Sequence, residues 1–80
     1  MITIRIQYYA LLREQAGRSR DTVSTLAVDA ASLYDELRAA HHFTLAQSQL
    51  RVAIDGEFAD WTTPLKDGAE VVFIPPVAGG

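Results

Sequence analysis

The sequence predicts an α+β domain in which a mixed sheet wraps around one main helix. Three segments support this prediction: an alternating strand at the start, one amphipathic helix near the middle, and an apolar strand close to the end. A helix with one apolar stripe needs one sheet face to cover it. The 80 residues are enough for one domain with a small core.

The first part of the chain predicts a strand, a short helix and a second strand. The segment MITIRIQYY alternates strictly, which is typical of a half-buried strand. Its predicted inward face comprises Ile2, Ile4, Ile6 and Tyr8. ALLREQAG contains good helix formers and closes at Gly17, a suitable C-terminal cap. DTVSTLAV is rich in β-branched residues and is predicted to pair with the first strand.

The segment DAASLYDELRAAHH predicts the main helix, with Asp29 as its N-cap. Its predicted apolar stripe comprises Ala30, Leu33, Leu37 and Ala40. His41 and His42 lie at the helix end. Because adjacent residues point in different directions on a helix, we predict no shared metal there.

The second half predicts short strands joined by tight turns. FTLAQSQL lacks a clear period and is predicted to be a loop with at most one helical turn. Asp55-Gly56 predicts a hairpin between RVAID and EFADW, in which Phe58 and Trp61 are expected to pack on the core or its rim. Asp67-Gly68 predicts a second turn.

VVFIPP predicts a final strand that lies mid-sheet or is covered on both faces, and that ends at Pro75. We expect the first and last strands to lie side by side at the centre of the sheet, which is the β-grasp, or ubiquitin-like, arrangement. Residues 1–74 are then the β-grasp domain, and residues 75–80 an extended, flexible C-terminal tail.

Composition excludes several classes of function. Residues 1–20 carry a net charge of +3 and residues 21–80 one of −6, and no basic stripe favours nucleic acid. The apolar runs are too short to span a membrane, and the start does not resemble a signal peptide, so we expect a cytoplasmic protein. The chain has no cysteine and therefore no side-chain thiol. We find no phosphate-binding loop, catalytic cluster or metal site.

The end of the chain, FIPPVAGG, is the segment that favours a chemical role. Pro75-Pro76 predicts a stiff exit from the sheet. The two final glycines lack a β-carbon and can enter a channel that would reject other residues. The reactive group of this segment is the α-carboxylate of Gly80, which becomes an electrophile when it is joined to AMP. The alternative is a frayed terminus.

The segments YYALLREQAG and PLKDGAEVVFIPPVAGG resemble the small subunits of molybdopterin synthase, the MoaD family of ubiquitin-like sulfur carriers. The second segment is the more specific, because its turn, apolar strand and Pro-Pro-Val-x-Gly-Gly ending rarely coincide. Residues 18–50 match in pattern alone.

The resemblance implies that an ATP-using activating enzyme adenylates Gly80 and that a sulfur donor then gives a C-terminal thiocarboxylate. It also implies that the tail enters the large synthase subunit, in a heterotetramer, and supplies sulfur to cyclic pyranopterin monophosphate. The large subunit would contribute the catalytic side chains, so the small chain is not catalytic alone and binds no cofactor itself.

The resemblance further implies partner contacts at Tyr9, Arg13 and Phe73. The implied contacts of the tail are Pro75, Pro76, Val77, Ala78 and Gly79. Three alternatives remain open from the sequence. They are a sulfur carrier for thiamine thiazole synthesis, a ubiquitin-like modifier that joins Gly80 to a target lysine, and an interaction domain with an inert tail.

Overall fold

A computed structural model describes residues 1–76 of the chain, and Val77, Ala78, Gly79 and Gly80 lie outside the described residues. The elements are β1 (Ile2–Tyr8), α1 (Ala10–Ala16), β2 (Arg20–Thr25), α2 (Ala30–His41), a 3₁₀ turn (Gln47–Gln49), β3 (Arg51–Ile54), β4 (Glu57–Ala59) and β5 (Glu70–Ile74). The strands form one sheet in the order β2-β1-β5-β3-β4. β1 and β5 are parallel at its centre, and the other neighbours are antiparallel. The predicted β-grasp fold is confirmed.

The alternation of β1 places its side chains as predicted. Ile4, Ile6 and Tyr8 are buried, whereas Thr3 and Arg5 are exposed on the opposite face. β1 pairs with β2 on one side and with β5 on the other. A strand paired on both sides satisfies its backbone N–H and C=O groups in the ladder, so β1 can lie at the centre of the sheet.

Helix α2 begins at the predicted N-cap. The Asp29 carboxylate accepts a hydrogen bond from the Ser32 N–H at 2.8 Å, and the Ser32 hydroxyl accepts one from the Asp29 N–H at 3.3 Å. These reciprocal bonds satisfy N–H groups at the helix start that have no partner within the helix. The helix ends at His41 and is followed by its C-cap, His42, whose φ of 58° lies in the left-handed region.

The buried face of α2 differs from the predicted stripe near its end. Ala30, Leu33, Tyr34 and Leu37 are buried, but Ala40 is exposed. Because a helix repeats every 3.6 residues, the residue after Leu37 on the same face is His41 rather than Ala40. The half-buried His41 ring lies 5.8 Å from the Tyr8 ring, centroid to centroid.

Both Asp-Gly turns form where the sequence predicts them. Asp55 and Gly56 have φ values of 51° and 87°, the two left-handed conformations that a tight hairpin of this kind requires. Gly68 has a φ of 83°, and its N–H donates to the Thr3 carbonyl at 2.7 Å. The second turn therefore joins the start of β5 to the start of β1.

The last strand lies mid-sheet, as predicted, and it is buried on one face, since α2 covers that face alone. Two other predictions need correction. Phe58 is 69% exposed rather than packed on the core, because the register pairs it with Ala53 on the face away from α2. β2 ends at Thr25, earlier than predicted, and leaves Leu26 and Val28 exposed.

Candidate functional site

The candidate site lies at the end of the sheet from which the C-terminal segment leaves, which we call the tail-exit end. Because β1 and β5 are parallel, Tyr8 pairs with Phe73 and both strands finish there. β3 is antiparallel to β5 and starts there, with Arg51 opposite Ile74. The opposite end of the sheet, where β1 and β5 begin, contains Thr3 and the turn at 66–69, and we call it the far end.

The chain leaves β5 beside a groove of about 400 Å³. The groove is lined by Ser48, Gln49, Leu50, Arg51, Ile74, Pro75 and Pro76. β5 ends at Ile74, as predicted, since proline has no N–H to donate to a neighbouring strand. Pro75 is half-buried and Pro76 is exposed. The groove therefore follows the first residues of the segment that ends at Gly80.

Tyr9 and Arg13 lie at the start of α1, directly after β1. Both side chains are exposed, and neither makes a hydrogen bond with another of the described residues 1–76. The Tyr9 carbonyl accepts from the Leu12 N–H at 3.1 Å, and Ala10 has a φ of 50°. This left-handed conformation is uncommon for a residue with a β-carbon and turns the chain from β1 into α1. Both side chains are thus positioned for surface contacts.

Phe73 has a different environment. It has no exposed surface, and its ring stacks on Trp61 at 5.9 Å and lies 5.2 Å from Tyr34. Phe73 thus holds the last strand against α2 and offers no surface to a partner in this conformation. The VVFI run in the sequence does not alternate, so it gives no signal of which face Phe73 occupies.

Sequence reasoning missed an exposed aromatic residue on the open face of the sheet. The Arg51 guanidinium carbon lies 5.5 Å from the centre of the Phe58 ring, a distance at which a cation interacts with the face of an aromatic ring. Ala53 lies between Phe58 and Val72 in the strand register. No signal for this orientation is present in the sequence, because a polar Glu57 next to an apolar Phe58 favours the covered face for Phe58.

The ionisable groups near this end include a buried tyrosine and an ion pair. The Tyr8 hydroxyl is buried and has no hydrogen-bond partner among residues 1–76, and burial raises the pKa of Tyr8 well above its usual value. Arg18 and Asp21 form an ion pair at 3.4 Å.

In the described part of the chain, no three side chains of the types that bind metals lie together. None of the helices described is long and apolar enough to cross a bilayer.

The chain is similar in sequence and in fold to several known proteins. The molybdopterin synthase sulfur carrier subunit of Mycobacterium tuberculosis is 32% identical over an alignment of 83 residues that covers 100% of both chains. The structure of SAMP1 from Haloferax volcanii has a TM-score of 0.78 and 25% identity, and the match covers 98% of this chain and 99% of that one.

A third similar structure is a complex of subunits 1 and 2 of molybdopterin-converting factor from Helicobacter pylori. It has a TM-score of 0.70 and 21% identity, and the match covers 99% of this chain and 100% of the matched chain. At this identity it supports the fold alone. The model of the ThiS family matches residues 6–80, including the tail. The resemblance that the two quoted segments indicated is confirmed, and the chain belongs to the ThiS family.

Proposed function

We propose that this chain is the sulfur carrier of molybdopterin synthesis and that Gly80 bears the sulfur. The observation that carries the proposal is the match, over the whole length of both chains, to a molybdopterin synthase sulfur carrier subunit. The Gly79-Gly80 ending and the absence of cysteine support it, since no side-chain thiol could hold sulfur in this chain.

The proposed chemistry takes place at the terminal carboxylate. The Gly80 carboxylate attacks the α-phosphate of ATP on an activating enzyme, forming the acyl adenylate and releasing pyrophosphate. A nucleophile at the oxidation level of sulfide then adds to the acyl carbon, AMP leaves, and the thiocarboxylate remains. Within molybdopterin synthase the thiocarboxylate sulfur bonds to a carbon of cyclic pyranopterin monophosphate in place of an oxygen substituent. Water then cleaves the bond between this sulfur and the acyl carbon, which restores the Gly80 carboxylate. ATP belongs to the activating enzyme, and this chain needs no cofactor of its own.

The fold supports such a role because it delivers the chain end from the centre of a rigid sheet. β5 is paired on both sides, by β1 and β3, and Phe73 holds it to the core. Pro75 prevents the ladder from continuing, so the residues that follow can leave the sheet. A fixed exit reduces the conformational freedom lost when the chain end enters an active site.

The proposed partner is a large synthase subunit, which supplies the catalytic side chains in a cytoplasmic heterotetramer. The name of the Helicobacter pylori structure describes a complex of subunits 1 and 2 of molybdopterin-converting factor. We propose the exposed side chains of Tyr9 and Arg13, together with the tail, as contacts. Phe58 adds exposed apolar area on the open face of the sheet, and such area often marks protein contacts.

Intact-mass measurement tests the proposal. The protein is incubated with an activating enzyme, ATP and a sulfur source, with samples lacking ATP and a variant lacking Gly80 as controls. We expect a species in which one oxygen of the C-terminal carboxylate is replaced by sulfur, in the complete reaction only. If no such species forms, the carrier function is wrong. Addition of the large subunit and the pterin precursor should then give molybdopterin; failure at this step would favour thiamine thiazole synthesis.

A second candidate is a ubiquitin-like protein modifier. The similarity to SAMP1, at 25% identity over nearly the whole of both chains, favours it. A modifier also forms the acyl adenylate but ends in an isopeptide bond between Gly80 and a lysine of another protein. Isopeptide-linked Gly80 peptides from cells, without any thiocarboxylate, would support this candidate over the carrier.

A further inference from the structure

Lysine is almost absent from this chain, and its one lysine is remote from the reactive carboxylate. The sequence contains six arginines but one lysine, Lys66. The Lys66 carbonyl accepts from the Ala69 N–H at 3.1 Å, in the turn whose Gly68 N–H donates to the Thr3 carbonyl. Lys66 therefore lies at the far end of the sheet, opposite the exit of the tail.

At the tail-exit end, by contrast, arginine supplies the positive charge. Arg51 is directly opposite Ile74 in the sheet and lines the groove with Pro75. Arg20 starts β2, opposite Gln7 near the end of β1, and Arg13 lies in α1. The basic side chains of this end are thus guanidinium groups, and its described residues include no lysine amine.

The two cations differ in their reactivity toward an activated acyl group. A guanidinium stays protonated near neutral pH and is a poor nucleophile, whereas a small fraction of lysine side chains is unprotonated at that pH and the free amine attacks acyl carbons. Attack within one molecule is strongly favoured over attack by a dilute external amine. We propose, on the basis of the proposed function, that arginine in place of lysine at the tail-exit end protects the activated Gly80 from acylating its own chain, with Arg51 the most important position.

Chain length supports this separation. From Glu70 to Ile74 the strand advances about 13 Å, and Pro75-Pro76 carries the chain roughly a further 6 Å in an extended form. The last four residues span at most ~14 Å in any conformation. Since Pro76 lies roughly 6 Å beyond Ile74, a segment of this length is long enough to reach back to Arg51, which pairs with Ile74. It is too short to reach back as far as Glu70. Lys66 lies beyond Glu70, in the turn at the far end, so its amine is farther from the chain end than an amine at position 51 or 48 would be.

The reaction that is avoided is an ordinary aminolysis. An unprotonated lysine amine would attack the acyl carbon of Gly80, the bond to the leaving group would break, and the nitrogen would lose a proton to solvent. The product is a cyclic chain with an isopeptide bond. No electron transfer is involved, and the product can no longer accept sulfur.

The test uses the full chain with a Gly80 α-thioester, prepared by intein cleavage, so that no activating enzyme is needed. Wild type is compared with Arg51→Lys and Ser48→Lys, which place an amine beside the groove, and with Thr3→Lys, which places one at the far end. Thr3 is exposed and contributes a backbone N–H to its hydrogen bond with Asp67, so this substitution keeps that bond. The products are separated by intact mass, because cyclisation gives the free chain less one water.

We expect Arg51→Lys and Ser48→Lys to cyclise at least ~10-fold faster than wild type or Thr3→Lys, which should mainly hydrolyse. Cyclisation of wild type through Lys66, lost in Lys66→Arg, would overturn the proposal. Equal hydrolysis of all variants would overturn it as well. Neither result bears on the carrier function, because the thioester is made without the activating enzyme. A failure of sulfur loading would count against the carrier function but would not change the cyclisation rates measured here.

Discussion

The two ends of the sheet use their polar side chains differently. At the far end, the Asp55 carboxylate accepts from the Glu70 N–H at 2.9 Å, and the Asp67 carboxylate accepts from the Thr3 N–H at 2.7 Å. At the tail-exit end, the side chains of Tyr9 and Arg13 make no such bonds within residues 1–76. These two carboxylates of the far end thus hold its turns together, whereas the side chains of Tyr9 and Arg13 at the tail-exit end are available for contacts with a partner.

The largest effect should come from the chain end itself. One alanine added after Gly80 should reduce sulfur loading at least ~100-fold, since displacement of a reacting group by about one residue prevents correct alignment. The thermal midpoint should not change, because no residue of the sheet or helices is altered. Intact mass measures loading and circular dichroism measures the midpoint. Loading that persists in the extended chain would contradict the assignment of Gly80.

Substitutions of Phe73 and Tyr9 should distinguish, within the tail-exit end, a residue that stabilises the fold from one that contacts the partner. Phe73→Ala removes a fully buried ring and should lower the free energy of unfolding by about 3–5 kcal/mol. Tyr9→Ala alters an exposed side chain and should change it by less than ~0.5 kcal/mol, while weakening binding to the large subunit. Urea unfolding and calorimetric titration measure the two quantities. A large loss of unfolding free energy in Tyr9→Ala would show that the Tyr9 side chain stabilises the fold rather than serving as a partner contact.

Substitutions of Asp67 at the far end and Arg13 at the tail-exit end should differ in which property they change. Asp67→Ala removes the acceptor of the Thr3 N–H and should cost about 1 kcal/mol of unfolding free energy. Sulfur loading should stay at the wild-type level because the turn is remote from the tail. Arg13→Ala should instead leave stability normal and weaken binding to the large subunit. The comparison would fail if both variants changed the same quantity.

The smallest effect concerns the acid dependence of stability. The hydrogen bonds from the Ser32 N–H and then its hydroxyl lower the pKa of Asp29 in the folded chain. Since the unfolded chain lacks these bonds, their stabilisation is complete above the ordinary aspartate pKa. It is lost as pH falls through the lowered value. Asp29→Asn keeps a capping acceptor but cannot titrate, so its thermal midpoint should fall less than that of wild type between about pH 5 and pH 2. Parallel curves would contradict this assignment.

Much of the fold could be predicted from local features of the sequence. The Asp29 cap, the Gly17 helix end and the two Asp-Gly turns depend on a few adjacent residues, and each forms where expected. The tail was identified in the same way, from the end of the chain itself. Its residues 77–80 lie outside the described residues, so the predicted extension and mobility of that segment stay predictions.

The sequence by itself determined the order of the elements, their caps and turns, and the chemistry available at Gly80, because short-range backbone preferences and residue type decide these. The tertiary structure alone decided which aromatic rings are core and which are surface. Phe73 and Phe58 both lie in segments that the sequence predicts to be strands, yet one is fully buried and the other is 69% exposed. The physical reason is that strand register assigns each side chain to a face of the sheet, and α2 covers only one of the two faces.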